Sequence, residues 1–67
     1  MFDSLFLQAM EKRRRELDIS QAVLARMTNL PLSVIQDYES GKAIPNQQIL
    51  AKIERALGIK LRGKINP

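Results

Sequence analysis

The side chains that could do chemistry in this sequence are few in kind, because the chain contains neither histidine nor cysteine. Histidine is the side chain that most often acts as an acid or base near neutral pH, and a cysteine thiolate is a common zinc ligand. A catalytic site would have to be built from Ser, Lys, Asp or Glu alone. The composition therefore argues against an enzyme, and it predicts neither a metal site nor a cofactor.

The cationic side chains are unevenly distributed along the chain. Residues 1–51 carry six basic and six acidic side chains, whereas residues 52–67 carry five basic side chains and one acidic side chain. These counts leave the whole net charge of +4 in the last quarter of the sequence. A polyanionic partner is expected to bind near that end.

The elements that must position these groups are helical. Length and composition predict one soluble domain, since no apolar run approaches the roughly 20 residues that cross a bilayer. Helix one is predicted after Asp3 or Ser4. Its apolar stripe consists of Leu5, Phe6, Ala9, Met10 and Leu17. The basic run at residues 12–15 is interpreted as a solvated helix face.

Capping residues mark the predicted ends of the next two helices. Ser20 is the expected N-cap of helix two, which runs over residues 21–27 and ends in a turn at Thr28 and Asn29. Pro31 suits the first position of helix three. That helix runs over residues 32–40, turns Val34, Ile35 and Tyr38 inward, and is ended by Gly41.

The fourth helix carries the broadest apolar stripe. Asn46 is its predicted cap and Gly58 its end. The stripe consists of Ile49, Leu50, Ile53, Ala56 and Leu57. Ile59 and Leu61 are expected to fold back onto the core, so residues 1–62 form the domain and residues 63–67 a flexible tail. The prediction is an all-α fold of four to five helices.

The order of these signals is similar to a known family. A helix capped at Ser20, a tight turn, a second short helix, Glu39-x-Gly41 and then Pro45 resembles the Cro and repressor-type helix-turn-helix proteins. Ala25 is the small residue that lets the two motif helices cross closely. The resemblance implies that the N-terminal part of the second motif helix faces outward, where repressors contact base edges.

The second half of the chain resembles a narrower family. The stretches Asp37 to Gln47, Lys52 to Gly58 and Lys60 to Lys64 are similar to the C-terminal domain of multiprotein bridging factors. The resemblance implies a transcriptional coactivator that links activators and other transcription factors to the TATA-binding protein. A member from a eukaryote would be expected in the nucleus and cytoplasm, and any other in the cytoplasm.

Several side chains acquire candidate roles from these resemblances. Arg14 and Glu39 match positions of a buried ion pair that joins helix one to helix three. Leu32 and Asp37 are outward residues suited to protein contact. The candidate nucleic-acid contacts are Gln21, Ser33, Gln36, Lys42, Lys60, Arg62 and Lys64. For Gln21, a phosphate contact and a plain solvent-exposed role both stay open. For Lys60, Arg62 and Lys64, the open interpretations are nonspecific phosphate binding and solvation of the tail.

Two functions from different classes follow. In the first, the domain is a coactivator that uses helices three and four and its basic end for protein contacts. In the second, it is a dimeric repressor that binds palindromic DNA, although residues 28–45 have a net charge of −1. Contact with RNA or the ribosome through the basic tail is a weaker third interpretation. None of these functions involves a membrane.

Overall fold

Four α-helices follow one another in the computed structural model, which describes residues 4–61. They are α1 (Ser4–Glu16), α2 (Gln21–Thr28), α3 (Leu32–Ser40) and α4 (Gln47–Leu57). No β-strand occurs between residues 4 and 61, which confirms the predicted all-α fold. The predicted tail at residues 63–67 lies outside the described residues. No helix within residues 4–61 is both long and apolar enough to cross a bilayer.

The apolar stripe of α1 is narrower than the sequence predicts. Phe6 and Met10, four positions apart and therefore on one face, are fully buried. Leu5 is 58% exposed and Leu17 is 38% exposed, so their predicted core positions are wrong. Leu5 lies about 100° around the helix from Phe6. Leu17 falls after the end of α1, just before Asp18 takes a left-handed φ of 58°.

The helix α2 begins and ends with the predicted caps. The Ser20 hydroxyl accepts a hydrogen bond from the Val23 N–H at 3.1 Å. Asn29 takes the left-handed conformation at the other end, with φ 58°. The helix extends one residue beyond the predicted end, to Thr28. The buried hydroxyl of Thr28 donates to the Leu24 carbonyl at 2.8 Å, which satisfies the hydroxyl without a solvent contact.

The bounds of α3 agree with the predicted range of residues 32–40, but the role of Pro31 differs from the prediction. Pro31 is the N-cap and not the first helical residue, because its ψ of 147° is extended. Its carbonyl accepts the first helical hydrogen bonds, from the N–H groups of Val34 and Ile35. Gly41 ends the helix with φ 86°, a conformation that strains residues with a Cβ atom.

The helix α4 is capped by Asn46, whose side-chain oxygen accepts from the Ile49 N–H at 2.9 Å. Its inward face buries Leu50, Ile53 and Leu57. After Gly58 the chain turns back, and Leu61 is 0% exposed in the core. This return agrees with the sequence prediction.

The core lies where the motif helices meet α1 and α4. The helix α2 packs against α3 and α4, and α1 packs against α3 and α4. Ala25 on α2 is 5% exposed, as expected of the small residue at a close helix crossing. The buried apolar residues are Phe6, Met10, Leu24, Ala25, Ile35, Tyr38, Leu50, Ile53, Leu57 and Leu61. This packing holds α3 with one face toward solvent.

Candidate functional site

The outward face of α3 is the first candidate surface. Leu32, Ser33 and Gln36 are exposed near its N-terminal end, and Leu32 exposes 41% of its surface. Positions three and four apart share a helix face, so Gln36 stands beside both other residues. The surface therefore offers one apolar group, one hydroxyl and one amide. Lys42, also exposed, follows the opposite end of the helix.

Asp37 gives this face its electrostatic character. Its side chain is half-buried, and no ion pair involves it among residues 4–61. The helix itself contains no lysine or arginine. The phosphates of a DNA groove would be repelled by this carboxylate, because no cation in the described part of the chain compensates its charge. A basic protein surface would be attracted to it.

In the groove that Gln36 also lines, Arg14 of α1 is joined to Glu39 of α3. Nε of Arg14 donates to Oε2 at 2.8 Å, and Nη2 donates to Oε1 at 3.1 Å. The two side chains are only 11% and 6% exposed. The hydrogen bond to Glu39 raises the pKa of the Arg14 guanidinium above its ordinary value, although burial acts in the opposite direction. Arg14 is therefore not part of a solvated face, and that interpretation is wrong for this residue.

Two further hydrogen bonds complete the ion-pair cluster. Nη1 of Arg14 donates to the Ile19 carbonyl at 2.9 Å, in the loop between α1 and α2. The amide nitrogen of Gln21 donates to Oε1 of Glu39 at 2.9 Å. The cluster thus ties α1, the loop, α2 and α3 together. The amide of Gln21 already has a protein partner, while its phosphate contact stays a prediction.

The remaining basic residues of α1 divide between two environments. Lys12 and Arg15 are exposed, as a solvated face requires. Arg13 instead donates from Nε to the Leu57 carbonyl at 2.8 Å, at the C-terminal end of α4. Sequence reasoning missed this contact because the two residues are 44 positions apart. It also missed the bond from the Leu61 N–H to Oε2 of Glu54, at 2.7 Å.

The candidate nucleic-acid residues line more than one groove. Gln21 and Gln36 line one groove of about 520 Å³, next to the ion-pair cluster. Lys60 is exposed on the wall of another groove, with Glu54 and Arg55, and the two grooves share no lining residue. Arg62 and Lys64 lie outside the described residues. Their phosphate binding stays a prediction.

Tyr38 is a buried residue of α3, and its phenol should make the domain less stable at high pH. Burial, followed by the neighbouring charge of Asp37, raises the pKa of its phenol above 10.0. Folding therefore favours the neutral phenol, and its contribution to stability is complete below the unfolded pKa of about 10. We expect this contribution to fall as pH rises from there through the folded pKa. Urea unfolding from pH 8 to 12 would measure the loss. In Tyr38→Phe, the free energy of unfolding should fall less steeply above about pH 10. An unchanged fall in that variant would contradict the role given to Tyr38.

The sequence comparisons agree with this geometry. Residues 10–64 match the family described as helix-turn-helix. The chain is 56% identical over 57 residues to multiprotein-bridging factor 1 of Candida albicans, which covers 85% of this chain and 38% of the relative. It is 60% identical over 57 residues to multiprotein-bridging factor 1b of Arabidopsis thaliana, covering 85% of this chain and 40% of the relative. The chain thus spans about two fifths of these relatives' length, and the resemblance predicted from its sequence is confirmed.

Proposed function

Because the chain belongs to the helix-turn-helix family and resembles multiprotein-bridging factors over most of its length, we propose that it is a transcriptional coactivator domain. It acts through protein contacts rather than by catalysis. It bridges transcription factors and the TATA-binding protein, a partner that the family resemblance implies.

The outward face of α3 is the observation that carries this proposal. Leu32 is an exposed apolar residue at the position where a DNA reader usually presents a cation or an amide. Asp37 lies on the same helix without an ion-pair partner among the described residues. An apolar group and a carboxylate on the same short helix suit a partner with a shallow apolar pocket and a basic rim.

A titration of the purified chain with the TATA-binding protein tests the proposal. We expect a 1:1 complex that Leu32→Ser weakens by about five- to thirtyfold, the range for an interface residue worth about 1–2 kcal/mol. Asp37→Asn should also weaken the complex, because it removes a favourable charge. This loss of affinity should be larger at low salt than at high salt, where charges are screened. Lys12→Met, an exposed change on α1, is the control. Absence of binding, or equal affinity of wild type and Leu32→Ser, would refute the proposal.

A second function, specific DNA binding, is favoured by the exposure of Ser33 and Gln36 at the start of the second motif helix. A glutamine there can bind adenine through two hydrogen bonds. One short helix reads few bases, so this function requires a dimer with half-sites about one helical turn apart. Salt titrations on selected and random duplexes distinguish the cases. Equal affinity for both duplexes, falling steeply with salt, would leave only nonspecific phosphate binding.

A further inference from the structure

A second surface lies on the side of the domain formed by α2 and α4. The end of α2 and the outer face of α4 form the walls of an open groove of about 570 Å³. Its lining residues are Met27, Thr28, Asn29, Lys52, Arg55 and Ala56. None of them belongs to α3 or to the ion-pair cluster.

The groove has an apolar part. Met27 is 51% exposed, and Ala56 is half-buried on the facing helix. Methionine is flexible and polarisable, and it is common at surfaces that bind apolar side chains of varied shape. The groove can therefore receive an apolar side chain between the two helices.

The groove also has a cationic edge. Lys52 and Arg55 lie three positions apart on α4, so they share a face. Neither side chain takes part in an ion pair among residues 4–61. Nε of Arg55 makes a long bond of 3.5 Å to the Ala51 carbonyl of its own helix. The rest of its guanidinium is available to an acidic partner.

The end of α2 opposes an anion in this groove only weakly. The last carbonyl groups of a helix carry partial negative charge, which would repel a carboxylate. Here the carbonyl groups of Leu24, Ala25 and Arg26 accept hydrogen bonds within the protein: the Thr28 hydroxyl donates to Leu24 and Ala25, and the N–H groups of Asn29 and Leu30 donate to Arg26 and Ala25. Lys52 and Arg55 each carry a full positive charge, which outweighs the partial charge of roughly half an electron at a helix end, so the groove is cationic.

From this arrangement we propose that the groove binds an acidic amphipathic segment of a partner protein. An apolar side chain of the segment contacts Met27 and Ala56, and its carboxylates pair with Lys52 and Arg55. The apolar floor favours a peptide over a nucleic-acid backbone, whose phosphates would leave Met27 without a matching partner. The inference rests on the proposed function, because it gives a bridging domain a second protein-binding surface, separate from α3.

The test uses a fluorescein-labelled peptide of about 15 residues, with leucine at helical spacing and Asp or Glu elsewhere. A second peptide carries lysine in place of every acidic residue. We expect fluorescence polarisation to show binding of the acidic peptide and none of the basic peptide. The NMR chemical shifts that change on binding should belong to residues at the end of α2 and on α4. Lys52→Glu/Arg55→Glu should weaken binding by about tenfold or more at low salt.

Matched variants separate the groove from general charge. Lys12→Glu/Arg15→Glu makes the same change in net charge on the exposed face of α1 and should alter affinity by less than about twofold. Met27→Gln should weaken binding severalfold, and Leu5→Gln, also an exposed apolar change, should not. Circular dichroism of each variant confirms that it is folded. Equal losses in both charge variants, or shifts located on α3, would overturn the inference.

Two further titrations keep this inference distinct from the proposed function. If the chain binds the TATA-binding protein but not the acidic peptide, the inference fails and the proposed function stands. If it binds the peptide but not that protein, the groove stands and the proposed partner fails. A duplex that competes with the peptide, or binds in its place and is lost in Lys52→Glu/Arg55→Glu, would assign the groove to nucleic acid and overturn the inference.

Discussion

Arg14→Met is expected to lower the free energy of unfolding by about 3–5 kcal/mol, the typical cost of breaking a buried ion pair. The methionine cannot donate, so the carboxylate of Glu39 would keep its charge at 6% exposure with only Gln21 as a side-chain hydrogen-bond partner. The Ile19 carbonyl would also lose the donor that Arg14 provides. A buried charge without compensation is therefore the main source of the loss.

The loss matters because the domain is small. A core of this size that no disulfide cross-links supplies a stability of about 3–5 kcal/mol. We therefore expect the variant to be largely unfolded at 25 °C and to lose partner binding together with its helical signal. The effect on function would be indirect, since the Arg14 side chain is only 11% exposed and joins α1 to α3.

Urea unfolding followed by circular dichroism measures the change, and the next arginine provides the control. Arg15 pairs with Glu11 but exposes 72% of its side chain. Arg15→Met should therefore change stability by less than about 1 kcal/mol. Similar losses in the two variants would show that the burial of Arg14 does not determine its contribution.

A double variant separates the charge from the packing. Arg14→Met/Glu39→Met removes both charges, so no carboxylate is left buried, and Gln21 can turn to solvent because it is half-exposed. We expect it to regain most of the stability that Arg14→Met loses, since apolar replacements of buried pairs are often neutral. A double variant less stable than Arg14→Met would contradict the argument.

The ends of the helices were predictable because their signals are local. Ser20, Asn29, Asn46 and Gly41 each act within a few positions of the backbone groups that they cap or terminate. The errors are local as well. Leu17 continues the apolar spacing of α1 in the sequence, but the helix ends at Glu16. Helical periodicity predicts which residues are buried only within the helix itself.

The tertiary contacts of the arginines were not predictable from spacing. Lys12, Arg13, Arg14 and Arg15 look alike in sequence, yet two are exposed and two are bound to distant partners. Successive helical residues differ by about 100° in direction, so a run of four must face several environments. Only the family resemblance singled out Arg14, and nothing local identified the contact between Arg13 and Leu57.

Of the two candidate surfaces, one was predictable from the sequence and the other was not. The outward residues of α3 follow from the motif, because its register fixes which positions face solvent. The groove between α2 and α4 joins Met27 to Lys52 and Arg55, which are far apart in sequence, so it becomes visible only when the helices are packed. The concentration of basic residues after position 51 was visible from the start. The structure adds that two of them stand beside an exposed methionine.

The basic C-terminal end also contains part of the core. Leu61 is 0% exposed, and its N–H donates to Glu54 at 2.7 Å, which fixes the returning segment against α4. Leu61→Ala is therefore expected to destabilise the domain by about 2–5 kcal/mol, through lost burial and the cavity left behind. Lys60→Ala, an exposed change one residue earlier, should stay within about 0.5 kcal/mol of wild type. Urea unfolding of both variants measures the difference. If Leu61→Ala were as stable as Lys60→Ala, residues 59–61 would contribute charge only, and the domain boundary would move back to Gly58.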